Sequence, residues 1–345
     1  MPLGIAYLAE AAACAPSADN SQPWCFDWDG HTLTARVYRR GGFPADHHAT
    51  TLALGAAAEN LNCALKSLGQ NADTWRFGPP DAAGVFARGP ASANLPTPDF
   101  DQAPLWKRRH TNRLPYRREI QPEIAAELEH CRIGEAAVHV MMGPAIRQAA
   151  DWVRRASEVR FQTREVNEWF AASLRYGQSA EDFASGLHVA TLALPPGGVC
   201  LLKLMSDWNR LQWLNRLRAY KFFASIEATN FQKAPLIVAI TGSSGSDAAF
   251  ESGRCMQRVW LKATELGLSA QPYYVVPDLL NRLESNGVPP QCIEQAAALR
   301  GQVVAEFGAD KRLHCMLRVG DPIGRIPVSG RLSLDRVMCD EERLY

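Results

Sequence analysis

What the chain lacks narrows its function first. Its 345 residues carry 37 basic and 36 acidic side chains, a formal charge of +1, so no global field draws it to nucleic acid or to an acidic membrane. No apolar run approaches the ~18 residues of a membrane span. The apolar start from Met1 to Ala15 has no basic leader and is interrupted by Glu10, so it reads as an amphipathic helix rather than a signal peptide. The nine cysteines are odd in number and never form Cys-x-x-Cys. Neither a disulfide framework nor a zinc site is indicated, and buried, reduced thiols are expected. Together these absences predict a cytoplasmic protein without membrane or nucleic-acid partners. The Gly-x-Gly-x-x-Gly fingerprint of a dinucleotide-binding fold is also missing.

The remaining composition, 47% hydrophobic and 9% aromatic, is that of a globular chain long enough for two lobes. Periodicity predicts a helix over 5–14, a hairpin of 25–28 and 32–38 about Asp29-Gly30, a helix over 50–68 capped by Gly69, and a strand near 74–77. Proline and glycine crowd residues 78–80 and 95–104, a connector that separates 1–100 from 105–345. Beyond it the pattern predicts helices over 122–131 and 145–175, an aromatic helix over 201–225, a strand at 235–241, a helix over 249–266 and a strand at 313–319. Strands interleaved with helices give an α+β fold. The segments 55–69 and 253–267 repeat one pattern: an initial glycine, Glu59 or Gln257 four residues later, and a terminal Leu-Gly. The small residues near each first glycine would let helices approach closely.

The most informative stretch is Pro16-Ser17-x-x-Asn20-Ser21-Gln22-Pro23-Trp24. It turns a helix into a strand, and Ser17 and Asn20 offer short donors and acceptors there. By itself it is either a capped turn or a corner fitted to the edge of a flat polar ring. The nonamer resembles the signature of the FMN-dependent nitroreductase family, and the resemblance implies that Pro16, Ser17 and Asn20 touch a flavin. Arg109-His110-Thr111-Asn112-Arg113 resembles the family's phosphate-binding element, with Arg109 and Arg113 supplying charge, Thr111 a hydroxyl and His110 lying between them. Without the resemblance it is equally an exposed basic loop. Ser329-Gly330-Arg331 resembles the C-terminal Ser-x-Arg element that reaches the same phosphate.

Residues 267–274, with Gln271, Tyr273 and Tyr274, stand where the family has a Pro-x-Glu-Gly loop beside the isoalloxazine. Here Tyr274 and Val275 replace Glu and Gly, which makes close backbone approach to flavin N5 harder. The two tyrosines are otherwise a half-buried pair in a strand.

Each element occurs once, and the elements are divided between the two halves. The resemblance therefore implies the Acg-like fused subfamily: a nitroreductase-like fold of two related lobes, an internal pseudo-dimer clamping one FMN, and a monomer or homodimer in solution. A lid is expected around 195–228, where the aromatics serve either the ring or the core. His47 and His48 read as solvated loop histidines with no third metal ligand.

The implied activity is ping-pong hydride transfer from NAD(P)H through the flavin to a small acceptor such as a nitroaromatic or quinone. Cofactor chemistry of this kind needs no catalytic side chain. Two alternatives stay open: a non-catalytic FMN-storage protein, and a tailoring dehydrogenase acting on a larger substrate.

Overall fold

A computed structural model describes residues 1–38, 47–70, 76–77, 85–90, 95 and 103–339, with the backbone alone for 76–77 and 85–90. Most of the connector read at 78–80 and 95–104 lies outside the described residues. The chain begins with α1 (Leu3–Ala13), turns into β1 (Trp24–Trp28) and β2 (Thr32–Val37), and continues through α2 (His48–Ser67) to β3 (Arg76–Phe77) and β4 (Val85–Pro90). After the short α3 (Leu105–Arg108) come α4 (Pro122–Glu129), β5 (Ala137–Met141), α5 (Pro144–Arg160) and α6 (Arg164–Ser173). The two-residue strands β6 (Leu174–Arg175) and β7 (Leu187–His188) flank α7 (Ala180–Ala184), followed by α8 (Gly198–Ser206), α9 (Trp208–Arg216) and α10 (Ala219–Gln232). The last part runs β8 (Leu236–Gly242), α11 (Ser246–Glu265), β9 (Ser269–Tyr273), α12 (Val275–Glu284), α13 (Ile293–Phe307), β10 (Arg312–Gly320) and α14 (Leu334–Val337).

Two antiparallel sheets result, in the orders β1-β2-β4-β3 and β5-β8-β10-β9. β8 is apolar from Leu236 to Ile240 because both its faces are covered. Leu236, Val238 and Ile240 face a core shared with α1, α2, β1 and α11, while Ile237 and Ala239 face one built from α5, α12 and α13. The first of these cores also takes Trp24, Phe26, Leu33 and Ala35 from the N-terminal sheet, so it joins residues from both halves of the sequence.

The repeated helices meet each other. A Cβ on Gly55 of α2 would lie 2.1 Å from the Phe250 carbonyl oxygen, and one on Gly253 of α11 would lie 2.1 Å from that of Leu52. The residue four places after each glycine is also at the contact. Glu59 binds Arg254 and Arg258 at 3.3 and 2.7 Å, and Gln257 donates to Asn60 Oδ1 at 2.6 Å.

Three expectations need correction. The helix read over 145–175 is two, because Phe161, Gln162 and Thr163 interrupt it without breaking its amphipathic pattern. The aromatic helix over 201–225 is three, cut at Asp207, which caps α9 by accepting from the Arg210 amide, and at Arg218, whose φ is 62°. Its aromatics are divided, with Phe223 buried and Trp213 and Phe222 exposed.

Cysteine is the third case. Cys25 and Cys339 form a disulfide across 314 residues of sequence, whereas the other seven cysteines are free. The bond ends an arm that returns from β10 to the N-terminal sheet. Along that arm the Gly330 amide donates to the Phe183 carbonyl, the Leu332 amide to Gln22 Oε1 and the Cys339 amide to the Phe26 carbonyl, at 3.1, 2.9 and 2.8 Å. The bond departs from the expectation of reduced thiols, one of the supports for a cytoplasmic location. Among the described residues, no helix is long and apolar enough to cross a membrane.

Candidate functional site

The N-terminal motif folds as a strained turn held from several sides. Asp19, Asn20 and Gln22 adopt φ of 50°, 53° and 51°, a left-handed conformation costly for residues other than glycine. Buried Gln22 holds it: its amide donates to Ser17 Oγ at 2.9 Å, its Nε2 to the Ala184 carbonyl at 2.8 Å, and its Oε1 receives the Leu332 amide. Pro16, Ser17, Asp19 and Asn20 thereby line one side of a cavity of about 380 Å³.

Residues 109–113 and the C-terminal arm enter the same cavity. Arg109 is buried, its guanidinium stacks 4.3 Å over the Trp260 ring and donates to the Cys14 carbonyl at 3.1 Å. Arg331 donates to Asn20 Oδ1 at 2.9 Å and to the same Cys14 carbonyl at 3.4 Å. Neither arginine has a carboxylate partner among the described residues, and the Nε of each is buried without a hydrogen-bond acceptor. Burial, followed by the charge of Arg331, pulls Arg109 down to about 9. Burial and then both guanidiniums hold His110 near 4.

Thr111, Gln271, Tyr273, Tyr274 and Ser329 also line the cavity, whereas Gly330 serves it through its carbonyl, which accepts from Asn20 Nδ2 at 3.3 Å. Gln271 Oε1 is a further buried atom without a partner. Arg113 is set apart from the other two arginines. It donates to the Thr191 carbonyl at 3.2 Å, and the charges acting on it are those of Asp19 and Tyr273.

The tyrosine pair is split between two elements. Tyr273 ends β9, packs edge-on against Phe231 at 4.8 Å and is pushed up to about 12, chiefly by burial. Tyr274 caps α12, and its hydroxyl lies 2.7 Å from His48 Nδ1 and 2.9 Å from Asn281 Nδ2.

The expected loop histidines are therefore not solvated. His48 is the first residue of α2, and its Nε2 lies 2.8 Å from His314 Nδ1. The carbonyl of Ser243, 2.9 Å from His314 Nε2, can only accept, which fixes both tautomers. His314 donates to Ser243, His48 donates to His314, and Tyr274 donates to His48. Burial, followed by the neighbouring His314, pulls His48 down to about 2, and burial first pulls His314 to about 4.

These depressed values predict an acid-labile fold. An unfolded histidine titrates near 6.5, so the network's contribution is complete above that pH and is lost as pH falls through the folded values. The His314 shift alone corresponds to on the order of 3 kcal/mol. The urea midpoint should fall between pH 6.5 and 4, with His110 adding to the trend, and His314→Gln should flatten the slope. A midpoint constant over that window contradicts the neutral His48–His314 pair.

The opposite wall comes from α6, through Val166, Asn167, Trp169 and Phe170, and from Leu187 and Leu192. Of the lid expected at 195–228, only Glu227 reaches the cavity. Trp169 is held by the Arg282 guanidinium 4.9 Å over its ring, and Asn167 donates to the Met205 carbonyl at 2.8 Å. Nothing in the sequence marks α6 as a wall, because an amphipathic helix shows which residues are apolar and not which surface they cover.

No family model matches the chain. The uncharacterized protein MT1398 of Mycobacterium tuberculosis (strain CDC 1551 / Oshkosh) is 27% identical over 285 residues, which are 77% of this chain and 38% of that protein. The chain thus spans well under half the length of that relative. Three solved structures are similar over part of it. A BluB-like flavoprotein from Clostridium difficile 630 is 12% identical, covering 68% of this chain and 96% of its own, with a TM-score of 0.39. The FMN-dependent nitroreductase NfnB from Mycobacterium smegmatis, in complex with NADPH, is 16% identical over 69% and 96%, with a TM-score of 0.38. A nitroreductase with bound FMN from Bacteroides fragilis NCTC 9343 is 9% identical over 70% and 100%, with a TM-score of 0.39.

Proposed function

We propose that the cavity binds FMN and that the chain is an NAD(P)H-dependent oxidoreductase of nitroreductase type, acting on a small acceptor such as a nitroaromatic or quinone. The observation that carries this reading is the pair Arg109 and Arg331, the first buried and the second half-buried with its Nε enclosed, whose guanidiniums share one carbonyl, repel each other and have no carboxylate partner among the described residues. Buried charge without a counter-charge is costly, and a phosphate monoester would supply both the charge and acceptors for the two orphaned Nε groups. The residues present therefore fit the group.

When bound, FMN supplies the atom that takes and gives hydride. The protein's part is to hold and enclose it. Arg109 and Arg331, with Thr111 and Ser329, would grip the phosphate. The turn at Pro16–Asn20 and the segment around Gln271–Tyr274 would flank the ring system, with Gln271 Oε1 free to receive a ring N–H. Trp169 and Phe170 would close the face from which water must be excluded. The nicotinamide and the acceptor would use this cavity in turn, so no second nucleotide fold is required. The repeated helices α2 and α11, packed at paired glycines, support the reading of 1–100 and 105–345 as two lobes of one pseudo-dimer.

The test is direct. Heat-denatured protein is expected to release one FMN per chain, and NADPH added without oxygen is expected to bleach the bound flavin. A chain that neither carries nor takes up FMN overturns the reading; a flavin that stays oxidised replaces the enzyme with the storage protein.

A further inference from the structure

We propose that Asp19 is the proton donor of this cavity, delivering a proton to the acceptor's oxygen as the acceptor is reduced. The role rests on the oxidoreductase reading above and adds to it a catalytic side chain that the cofactor chemistry alone did not call for.

Three carboxyl groups among the described residues line the cavity, and two are neutralised by ion-pair partners. Glu227 receives Ser157 Oγ at 2.5 Å and Arg160 at 3.0 Å, and Asp278 receives Arg282 at 2.9 Å. Asp19 has no ion pair within 4.0 Å among the described residues, although it faces charges from several elements. Arg160 of α5 and Arg113 of the segment before α4 favour its carboxylate. Asp278 of α12 opposes it, and the Ser173 hydroxyl of α6 lies beside it. Burial outweighs the two cations and raises the carboxyl above the ordinary aspartate range. The group is thus open to the cavity, enclosed elsewhere, and disposed to hold a proton.

Its position is also held at a cost. Asp19 keeps a left-handed backbone, and the bonds of Gln22 hold the turn in place. Strain of this kind persists where the surroundings over-determine a conformation, and here it aims a carboxyl into the cavity from between two motif residues.

The reduction of a quinone can use such a group. A quinone that takes a hydride from the reduced cofactor at one oxygen moves an electron pair through its ring to the other oxygen. That oxygen becomes basic and takes the proton from Asp19, giving the hydroquinone. Asp19 is left as a carboxylate beside Arg113 and Arg160 and is reprotonated by water when the product leaves. General acids of this type contribute roughly a hundredfold or more to a rate.

Asp19→Asn is the informative variant, because asparagine tolerates the left-handed backbone. The holoprotein is assayed with NADPH and either menadione, which needs hydride and proton, or ferricyanide, which takes electrons singly and no proton. We expect the menadione kcat to fall about a hundredfold or more while ferricyanide reduction stays within about twofold. In the wild type, the menadione rate should decline as pH rises through the Asp19 titration while the ferricyanide rate does not. Infrared spectra of the cofactor-free protein, followed through a pH titration, should show a carboxylic-acid carbonyl band that persists above the ordinary aspartate range and that Asp19→Asn removes. An unchanged menadione rate, a parallel loss with both acceptors, or the absence of that band overturns the role of Asp19. Wild-type protein that reduces neither acceptor overturns instead the oxidoreductase reading on which the role rests.

Discussion

The double variant Arg109→Ala, Arg331→Ala is expected to purify colourless and to leave the fluorescence of added FMN unquenched. Each guanidinium would give charge-assisted hydrogen bonds worth about 1.5–3 kcal/mol to the phosphate, so losing both weakens binding by on the order of a hundredfold to ten-thousandfold. The cofactor-free protein should respond differently. In it Arg109 is buried and Arg331 half-buried, the two repel each other without a carboxylate partner among the described residues, and Arg109 is already pulled down to about 9. Removing them relieves that repulsion, so the thermal midpoint of the cofactor-free variant should stay near that of the wild type while cofactor retention collapses. Arg113→Ala provides the contrast. Its charge is directed to Asp19, and it should leave FMN retention within about tenfold of wild type, a loss of no more than ~1.4 kcal/mol. Undiminished retention in the double variant would place the anion site elsewhere.

Gly253→Ala is expected to be strongly destabilising, because a methyl there meets backbone across a helix crossing. The new Cβ would lie 2.1 Å from the Leu52 carbonyl oxygen and 2.8 Å from Leu52 Cα, backbone atoms that cannot rotate away. α2 and α11 must then part, which opens the buried contacts of Glu59 and Gln257 and shifts Leu52 and Met256, both on the cavity wall. Overpacking of this kind costs about 1–3 kcal/mol or more, and the helix preference of alanine over glycine returns up to ~1 kcal/mol. A net loss of roughly 2 kcal/mol lowers the melting temperature by about 3 °C in a chain of this size. Gly301→Ala has the opposite sign. That glycine lies exposed in α13 with nothing within 4 Å of the added Cβ, so alanine should stabilise by up to ~1 kcal/mol. Equal effects at the two positions would contradict the close crossing.

The features readable in the sequence are those encoded locally. β8 follows from its unbroken apolar run, the first hairpin from alternation about Asp29-Gly30, and the crossing of α2 and α11 from the repeated glycines. The motif residues 16–20, 109–111, 113, 271–274, 329 and 331 meet around one cavity, with Arg113 directed away from the other arginines. What stayed hidden depends on distance along the chain. His48 was visible only as half of a histidine pair, because its partners Tyr274 and His314 lie 226 and 266 residues away. Asp19 occupies an unassigned place in the motif, and its significance comes from its place on the cavity wall without an ion-pair partner among the described residues, which no spacing records. The break between α5 and α6 was invisible because an amphipathic pattern can run across a turn unchanged.

The disulfide between Cys25 and Cys339 gives the chain an unusual mechanical property. Nearly the whole polypeptide lies inside one covalent loop, so tension applied at the two ends passes through the sulfur bridge and bypasses both sheets. The segments outside the loop can lengthen by only about 100 Å at ~3.5 Å per residue, against ~1,200 Å for the reduced chain. In a single-molecule extension experiment the oxidised protein should therefore stop short once α1 is drawn away, with the elements inside the loop unextended. A reductant would release the full contour length.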